Sequence, residues 1–303
     1  MSIDKMLNNW SVKPSSDANH IGVEIEFVSK ISKRMLAETI MNKHPEISEF
    51  IVLKEDGSIE CENDAECSTC EGNGTIAMEC DDCGGRGEFE CGDGGMCTCD
   101  SCGGEGYHNV DCSDCDGSGH IEGGETDCEA VICAPENKIK DVLKNLLTII
   151  NKDADGYVNK SCGLHVHLDM RNRNVSKSYR RLFHNKEFLF KMLPDSRLFD
   201  NRYCQPNEHS SFISEKKRED RYLHFNPTAY DKYKTLEIRM HTGTINYNKI
   251  TNWIDLLVSV VDNGSTNKQP RNFEEFKKRA KITRKLETYM KQRAKEFNKE
   301  LAA

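Results

Sequence analysis

The sequence predicts an α+β fold interrupted by an inserted cysteine-rich module. Three observations carry this reading. Several segments alternate strictly between apolar and polar residues, the segments between them place apolar residues at helical spacing, and the block 61–128 matches neither pattern. With 303 residues the chain can form one large domain or two modest ones, burying a core without a disulfide scaffold. No apolar run approaches the ~20 residues of a membrane helix. The N-terminus MSIDKMLNNW lacks the basic start and apolar stretch of a secretory signal, so a cytoplasmic protein away from membranes is expected.

The block 61–128 holds 12 of the 15 cysteines and 15 of the 21 glycines. It carries 18 Asp and Glu against one basic residue, Arg86, whereas the rest of the chain has 41 Lys and Arg against 32 Asp and Glu. The whole-chain charge of −8 averages two unlike parts. Two domains are therefore expected: 1–60 with 129–303, and an insert over 61–128.

The first strand is HIGVEIEF, where Ile21, Val23, Ile25 and Phe27 alternate with Gly22, Glu24 and Glu26. Residues 29–43 have helical spacing, with Ser29 or Ser32 as N-cap. A strand over 50–53 runs into Glu55-Asp56-Gly57-Ser58, a tight turn, and the chain resumes extended up to Cys61. Beyond the insert, DCEAVIC reads as extended, and Pro135 suits the first turn of a helix running to about residue 151 with the apolar face Ile139, Val142, Leu143, Leu146, Leu147 and Ile150. GLHVHLDM is a strand with His165, His167 and Asp169 on one face. Residues 175–193 read as helix, and 201–227 as irregular. YKTLEIRMHT places Glu237, Arg239 and His241 together on one face of a strand. A helix through Ile250, Trp253, Ile254, Leu257, Val258 and Val261 ends at Gly264. From Asn272 onward a single charged helix is expected, facing solvent, docking on the acidic insert or meeting an acidic partner.

Inside the insert the pattern C-x-x-C-x-G-x-G occurs four times, at Cys67/Cys70, Cys80/Cys83, Cys99/Cys102 and Cys112/Cys115. Zinc takes four tetrahedral ligands and suits thiolates, and each Cys-x-x-Cys turn offers two, with glycines letting the backbone aim amides at the sulfurs. Eight thiolates imply two Zn2+ sites; an iron–sulfur site or a set of disulfides is the competing reading. Four pairs can combine in three ways, and spacing does not choose among them. Cys91 and Cys97 fall outside the repeats, as extra ligands or free thiols, and Cys61 and Cys128 flank the module in packing roles. The repeats resemble the zinc-binding region of DnaJ-type co-chaperones. That resemblance implies an arm in which Cys67, Cys70, Cys112 and Cys115 hold one ion and Cys80, Cys83, Cys99 and Cys102 the other. Sites closed by four cysteines are structural. The acidity of the arm argues against nucleic acid, which is gripped through Lys and Arg, and favours a protein or peptide contact.

The polar faces of three strands bring Glu24 and Glu26, His165 and His167, and Glu237 with Arg239. A solvated sheet face is the bland account. Paired glutamates, paired histidines and an arginine instead form a set suited to a magnesium nucleotide. Taken in order, IGVEIEF, EDGSIE, CEAVICAP, CGLHVHLD and TLEIRMHTGTIN resemble the amidoligase family of the glutamine synthetase and glutamate–cysteine ligase superfamily, over most of residues 20–262.

The resemblance implies a curved antiparallel sheet backed by helices, binding ATP and Mg2+ or Mn2+, and amide formation between a carboxylate and an amine through an acyl phosphate. It implies that Glu24, Glu26, Glu129, His165 and Glu237 hold metal, with His167 at or behind the metal site. Asp56 is implied near the metals or the amine, and Arg239 on the transferred phosphoryl group. Arg202, Tyr222 and Asn226 lie where substrate contacts would be expected. The substrate would be an amino acid, peptide or protein. Two other readings are a zinc-dependent peptide-binding, co-chaperone-like module without catalysis, and a cysteine hydrolase built on Cys162 and His165, which would leave the paired glutamates without a task.

Overall fold

A computed structural model describes residues 2–7, 18–61, 70–71, 73–92, 94–112, 125–199 and 201–301. The chain divides into two compact units, Met1–Glu60 with Thr126–Ala303, and Cys61–Glu125.

The larger unit is mixed α+β. In chain order it contains α1 (Ile3–Leu7), β1 (His20–Ser29), α2 (Lys33–Lys43), a 3-10 segment (Pro45–Phe50) and β2 (Ile51–Lys54). The smaller unit supplies β3 (Thr75–Glu79), β4 (Glu88–Glu90), β5 (Met96–Thr98) and β6 (Tyr107–Asp111). The larger unit then resumes with β7 (Thr126–Pro135), α3 (Ile139–Lys152), β8 (Gly163–Asp169), α4 (Val175–Phe190) and a 3-10 turn (Asp195–Arg197). It closes with α5 (Phe212–Lys216), β9 (Phe225–Asn226), α6 (Ala229–Tyr233), β10 (Thr235–Thr242), α7 (Tyr247–Asn263), α8 (Phe273–Ala280) and α9 (Arg284–Glu296).

Among the described residues, six strands form one sheet in the order β2-β7-β1-β8-β10-β9, each neighbouring pair antiparallel. Paired residues share a face, so the alternation in β1 sorts the sheet. Ile21, Val23, Ile25 and Phe27 are at most 1% exposed and join one core with Leu164, Val166 and Leu168 of β8 and the apolar faces of α3 and α7. Each aliphatic side chain buried on α3 is worth about 2 kcal/mol relative to water. The helices thus cover one face and leave the other to the polar residues. No helix among the described residues is long and apolar enough to cross a membrane.

Several sequence expectations meet a difference here. Ser32, not Ser29, caps α2, accepting from the Met35 amide. Pro135 closes β7, and α3 begins only at Ile139. The segment after Gly57 is a turn and bend rather than an extended strand. The charged C-terminal stretch is two helices, because Lys281 adopts a left-handed φ of 53° and Thr283 opens α9 as a new N-cap. The polar stretch 201–227 contains α5 and the short edge strand β9.

In the smaller unit β3 pairs with β6 and β4 with β5. These strands are largely exposed; among the module's described residues the buried side chains are Cys70, Cys80, Cys83, Cys99, Cys102 and Cys112. Thiols therefore take the place of an apolar core. Two glycines allow the inner turns to meet backbone to backbone. At Gly87 and Gly106, with φ of 73° and 83°, an added Cβ would lie 2.2 Å from the Gly104 carbonyl oxygen and 2.4 Å from that of Gly85.

Candidate active site and metal centre

The site is built on the face of the sheet opposite the helices. β1 supplies Glu24 and Glu26. Antiparallel register sets Glu129 of β7 opposite Glu26, and His165 of β8 opposite Glu24. His167 lies opposite Gly22 on one side and Glu237 of β10 on the other. Gly22 makes room for it: a Cβ there would stand 2.9 Å from the His167 Cβ.

The side chains converge. His165 Nδ1 lies 3.0 Å from Glu24 Oε2 and 3.9 Å from Glu237 Oε1, and its Nε2 lies 3.6 Å from Glu26 Oε1. Glu26 Oε2 also accepts from the Gly163 amide at 2.5 Å. Glu237 is paired with Arg239 and accepts from Asn226 Nδ2 at 2.6 Å. Glu26, His165, His167 and Glu237 are each at most 8% exposed.

The electrostatics are those of crowded carboxylates. Burial, reinforced by the charges of Glu24, Asp56 and Glu26, pushes Glu129 up to about 8, against the opposing pull of Lys54. Burial acts the same way on Glu24, but His167 and His165 outweigh it and hold that carboxylate well below its usual range. Burial disfavours a charged His167, yet Glu24 and Glu237 raise it to about 8.

Two groups could hold a cation: Glu24, His165 and Glu237, and Glu26, Glu129 and His165, the ligand atoms of each lying within 4.8 Å of one another. His167 Nε2 adds a donor, since it is buried without a hydrogen bond although Glu24 Oε1 is 3.2 Å away. Carboxylate oxygens with imidazole nitrogens suit Mg2+ or Mn2+, so these residues fit such ions.

Asp56 belongs to neither group. It sits at the end of β2, where its Oδ1 accepts from the Ser58 amide and hydroxyl at 3.0 and 2.7 Å, near enough for its charge to act on Glu129. His241 departs from the expected face. Ile238 pairs with Val166 but His241 pairs with Leu164, so β10 spends three residues where β8 spends two. The bulge turns His241 to the helical side, 1% exposed, with its ring 5.1 Å from that of Trp253. Of the cysteines around Glu129, Cys128 pairs with Phe27 on the core side and Cys133 with Gly22 on the polar side.

Sequence reasoning missed Lys54 and Arg197. Lys54 is the register partner of Glu129, with Nζ 3.9 Å from Glu129 Oε2; the polar end of IVLK was the available signal. Arg197, on the 3-10 turn, had none. Asn226, named on polarity alone, bonds Glu237. Tyr222 lies under the Arg239 guanidinium, 5.7 Å from ring centre to Cζ, and nothing places Arg202 in the cluster.

In the smaller unit Cys80, Cys83, Cys99 and Cys102 form one cluster that could hold a metal. The Cys80–Cys99 and Cys83–Cys102 sulfurs are each 3.8 Å apart, the edge of a tetrahedron with Zn–S bonds of roughly 2.3 Å. The Gly87 and Gly106 amides donate to Cys83 and Cys102 Sγ at 3.2 Å, and Gly74 to Cys70 Sγ at 3.3 Å. Cys70 and Cys112 are buried together against Ile76, while Cys67 and Cys115 lie outside the described residues. Cys91 and Cys97 are joined as a disulfide rather than left as free thiols or ligands.

Among known proteins, the family model described as "Putative amidoligase enzyme" matches residues 17–261. No curated protein and no solved structure matches.

Proposed function

Because the chain belongs to the amidoligase family, we propose that it is an ATP-dependent carboxylate–amine ligase acting in the cytoplasm on an amino acid, peptide or protein. The observation that carries the reading is the convergence of Glu24, Glu26, Glu129, His165 and Glu237 beside Arg239 on one buried sheet face. A solvated sheet face has no reason to bury this set, since unneutralised carboxylates repel and lose hydration.

Glu24, Glu26, Glu129, His165 and Glu237 would hold Mg2+ or Mn2+, with His167 beside them. Bound ions would supply neutralisation of the triphosphate. In the first half-reaction a substrate carboxylate oxygen bonds the γ-phosphorus while the bond to the β-phosphate oxygen breaks and ADP leaves. Arg239 meets the charge spread over the moving phosphoryl oxygens. In the second, the amine nitrogen bonds the acyl carbon, phosphate departs with its oxygen, and the nitrogen gives up a proton. Asp56, at the edge of the sheet next to Glu129, is the carboxylate assigned to the amine. Burial of Glu26, His165 and Glu237 keeps water from the acyl phosphate.

The inserted module is assigned two Zn2+, one on Cys80, Cys83, Cys99 and Cys102 and one on Cys67, Cys70, Cys112 and Cys115. Its acidic surface suits docking of a basic segment of a peptide or protein substrate. The test is ADP release with Mg2+ or Mn2+ and a panel of amino acids and peptides, wild type against Glu26→Gln. Substrate-dependent release abolished in the variant is expected. Failure of the wild type to bind ATP with either ion present would remove the enzymatic reading and leave a zinc-dependent peptide-binding module.

A further inference from the structure

Arg197 lies outside every strand of the sheet, yet its guanidinium reaches the site. The 3-10 turn that carries it is pinned at three points. The Arg197 amide donates to Pro194 O at 3.1 Å, its carbonyl accepts from His224 Nε2 at 3.1 Å, and its Nη2 donates to His241 O at 2.8 Å. The tip lies against Gly163. A Cβ on that glycine would meet Arg197 Nη2 at 2.8 Å, His165 Nε2 at 3.0 Å and Glu26 Oε2 at 3.2 Å. A guanidinium, an imidazole and a carboxylate thus meet around Gly163, where any side chain would push them apart.

Arg197 makes no ion pair with a described carboxylate, and its Nε is buried without a hydrogen bond, as is that of Arg239. A half-buried guanidinium whose Nε is buried and unbonded is a site for an oxyanion, which its planar fork binds through two parallel hydrogen bonds. His165 stands between the two arginines. Its Nε2 faces Glu26, beside Arg197, and its Nδ1 faces Glu237, which Arg239 pairs. A carboxylate has two oxygens, and one guanidinium satisfies it. Two guanidiniums flanking a candidate metal cluster match a phosphoryl group, whose charge is spread over three oxygens during transfer.

We propose that Arg197 is a second contact to the transferred γ-phosphoryl group, across His165 from Arg239. The proposal rests on the ligase reading above and adds to it a residue outside its motifs. Gly163, by lacking a side chain, lets Arg197 approach His165 and Glu26 closely enough for the two to share one ligand.

The test is calorimetric binding of the β,γ-imido analogue of ATP and of ADP, each with Mg2+, to the full chain. Wild type is compared with Arg197→Gln and Arg197→Lys, with thermal melts to establish that each variant is folded. The expected result is that Arg197→Gln weakens the triphosphate about tenfold or more while ADP changes by about twofold or less, with Arg197→Lys in between. Equal loss for both nucleotides, or no loss for either, overturns the assignment of Arg197 and leaves the ligase reading standing. A substrate carboxylate at Arg197 would give the second of these patterns. A wild type that binds neither nucleotide removes the ligase reading, and this inference with it.

Discussion

Glu26 and Glu129 are direct cross-strand partners on β1 and β7. Like charges directly opposite one another destabilise a sheet, and the neighbouring Lys54 approaches only Glu129, at 3.9 Å. The pairing makes sense where something else neutralises it. It follows that function and stability pull in opposite directions here. Under a chelator at pH 9, where Glu129 carries its charge, Glu129→Gln is expected to stabilise the protein by about 1 kcal/mol, read by urea denaturation. The same variant is expected to weaken Mn2+ binding at least about tenfold. A destabilised variant with unchanged Mn2+ affinity would show that the pair is structural.

Gly22 is the steric counterpart of this arrangement. A methyl group at that position would stand 2.9 Å from the His167 Cβ, closer than two side-chain carbons rest, so β1 and β8 or His167 itself must move. Gly22→Ala is expected to cost about 1–3 kcal/mol of stability and to weaken divalent-ion binding with it. Unaltered melting together with unaltered Mn2+ titration would mean that His167 has slack the geometry does not reveal.

Much of the larger unit was readable because its physics is local. The alternation of Ile21, Val23, Ile25 and Phe27 against Glu24 and Glu26 fixes which face of β1 is apolar, and the sheet honours it. The same alternation failed in β10, where the bulge reverses His241 after Ile238. A bulge is decided by the partner strand and by the contact with Trp253, which no window of residues 233–242 contains. Lys54 was missed for a related reason. Its meaning comes from lying opposite Glu129, and register between strands so far apart in sequence is not a property of either strand. Arg197 depends on a local turn bond to Pro194 and on two tertiary anchors, to His224 and His241, which no local window of sequence shows. In the smaller unit the spacing marked candidate ligands, and only folding brought Cys80 and Cys83 together with Cys99 and Cys102.

That smaller unit has thiols where a domain has a core, so the zinc proposed for it would carry its stability. Removing zinc is expected to unfold the segment Cys61–Glu125 while Met1–Glu60 and Thr126–Ala303 remain folded, because Phe27, Leu146 and Trp253 bury without it. Limited proteolysis with and without chelator should place new cleavages inside the segment alone. Elemental analysis should find about two zinc per chain, falling by about one in Cys80→Ser. A chain that holds no zinc after purification, or that resists protease in chelator, would refute the assignment.

The reversed histidine supplies a prediction whose sign reports on the bulge. On the helical side, burial pushes His241 down to about 3, with the Arg293, Arg197 and Lys249 charges acting in the same direction against the Nδ1 hydrogen bond to the Thr242 carbonyl. His224, buried and bonded to the Arg197 carbonyl, is lowered to about 4. In the unfolded chain each titrates near 6.5. Between those values the unfolded state binds protons that the folded state refuses, so stability is present above about pH 6.5 and falls as the pH drops through the window. The slope is about 1.4 kcal/mol per pH unit for each histidine. Had β10 run straight, His241 would share a face with Glu237, its proton would be favoured, and stability would rise on acidification. Denaturant titrations of wild type and His241→Gln at pH 7 and pH 5 separate the two. The wild type should lose more stability than the variant over that interval, by about 2 kcal/mol. A variant that loses more than the wild type would put His241 back on the polar face of the sheet.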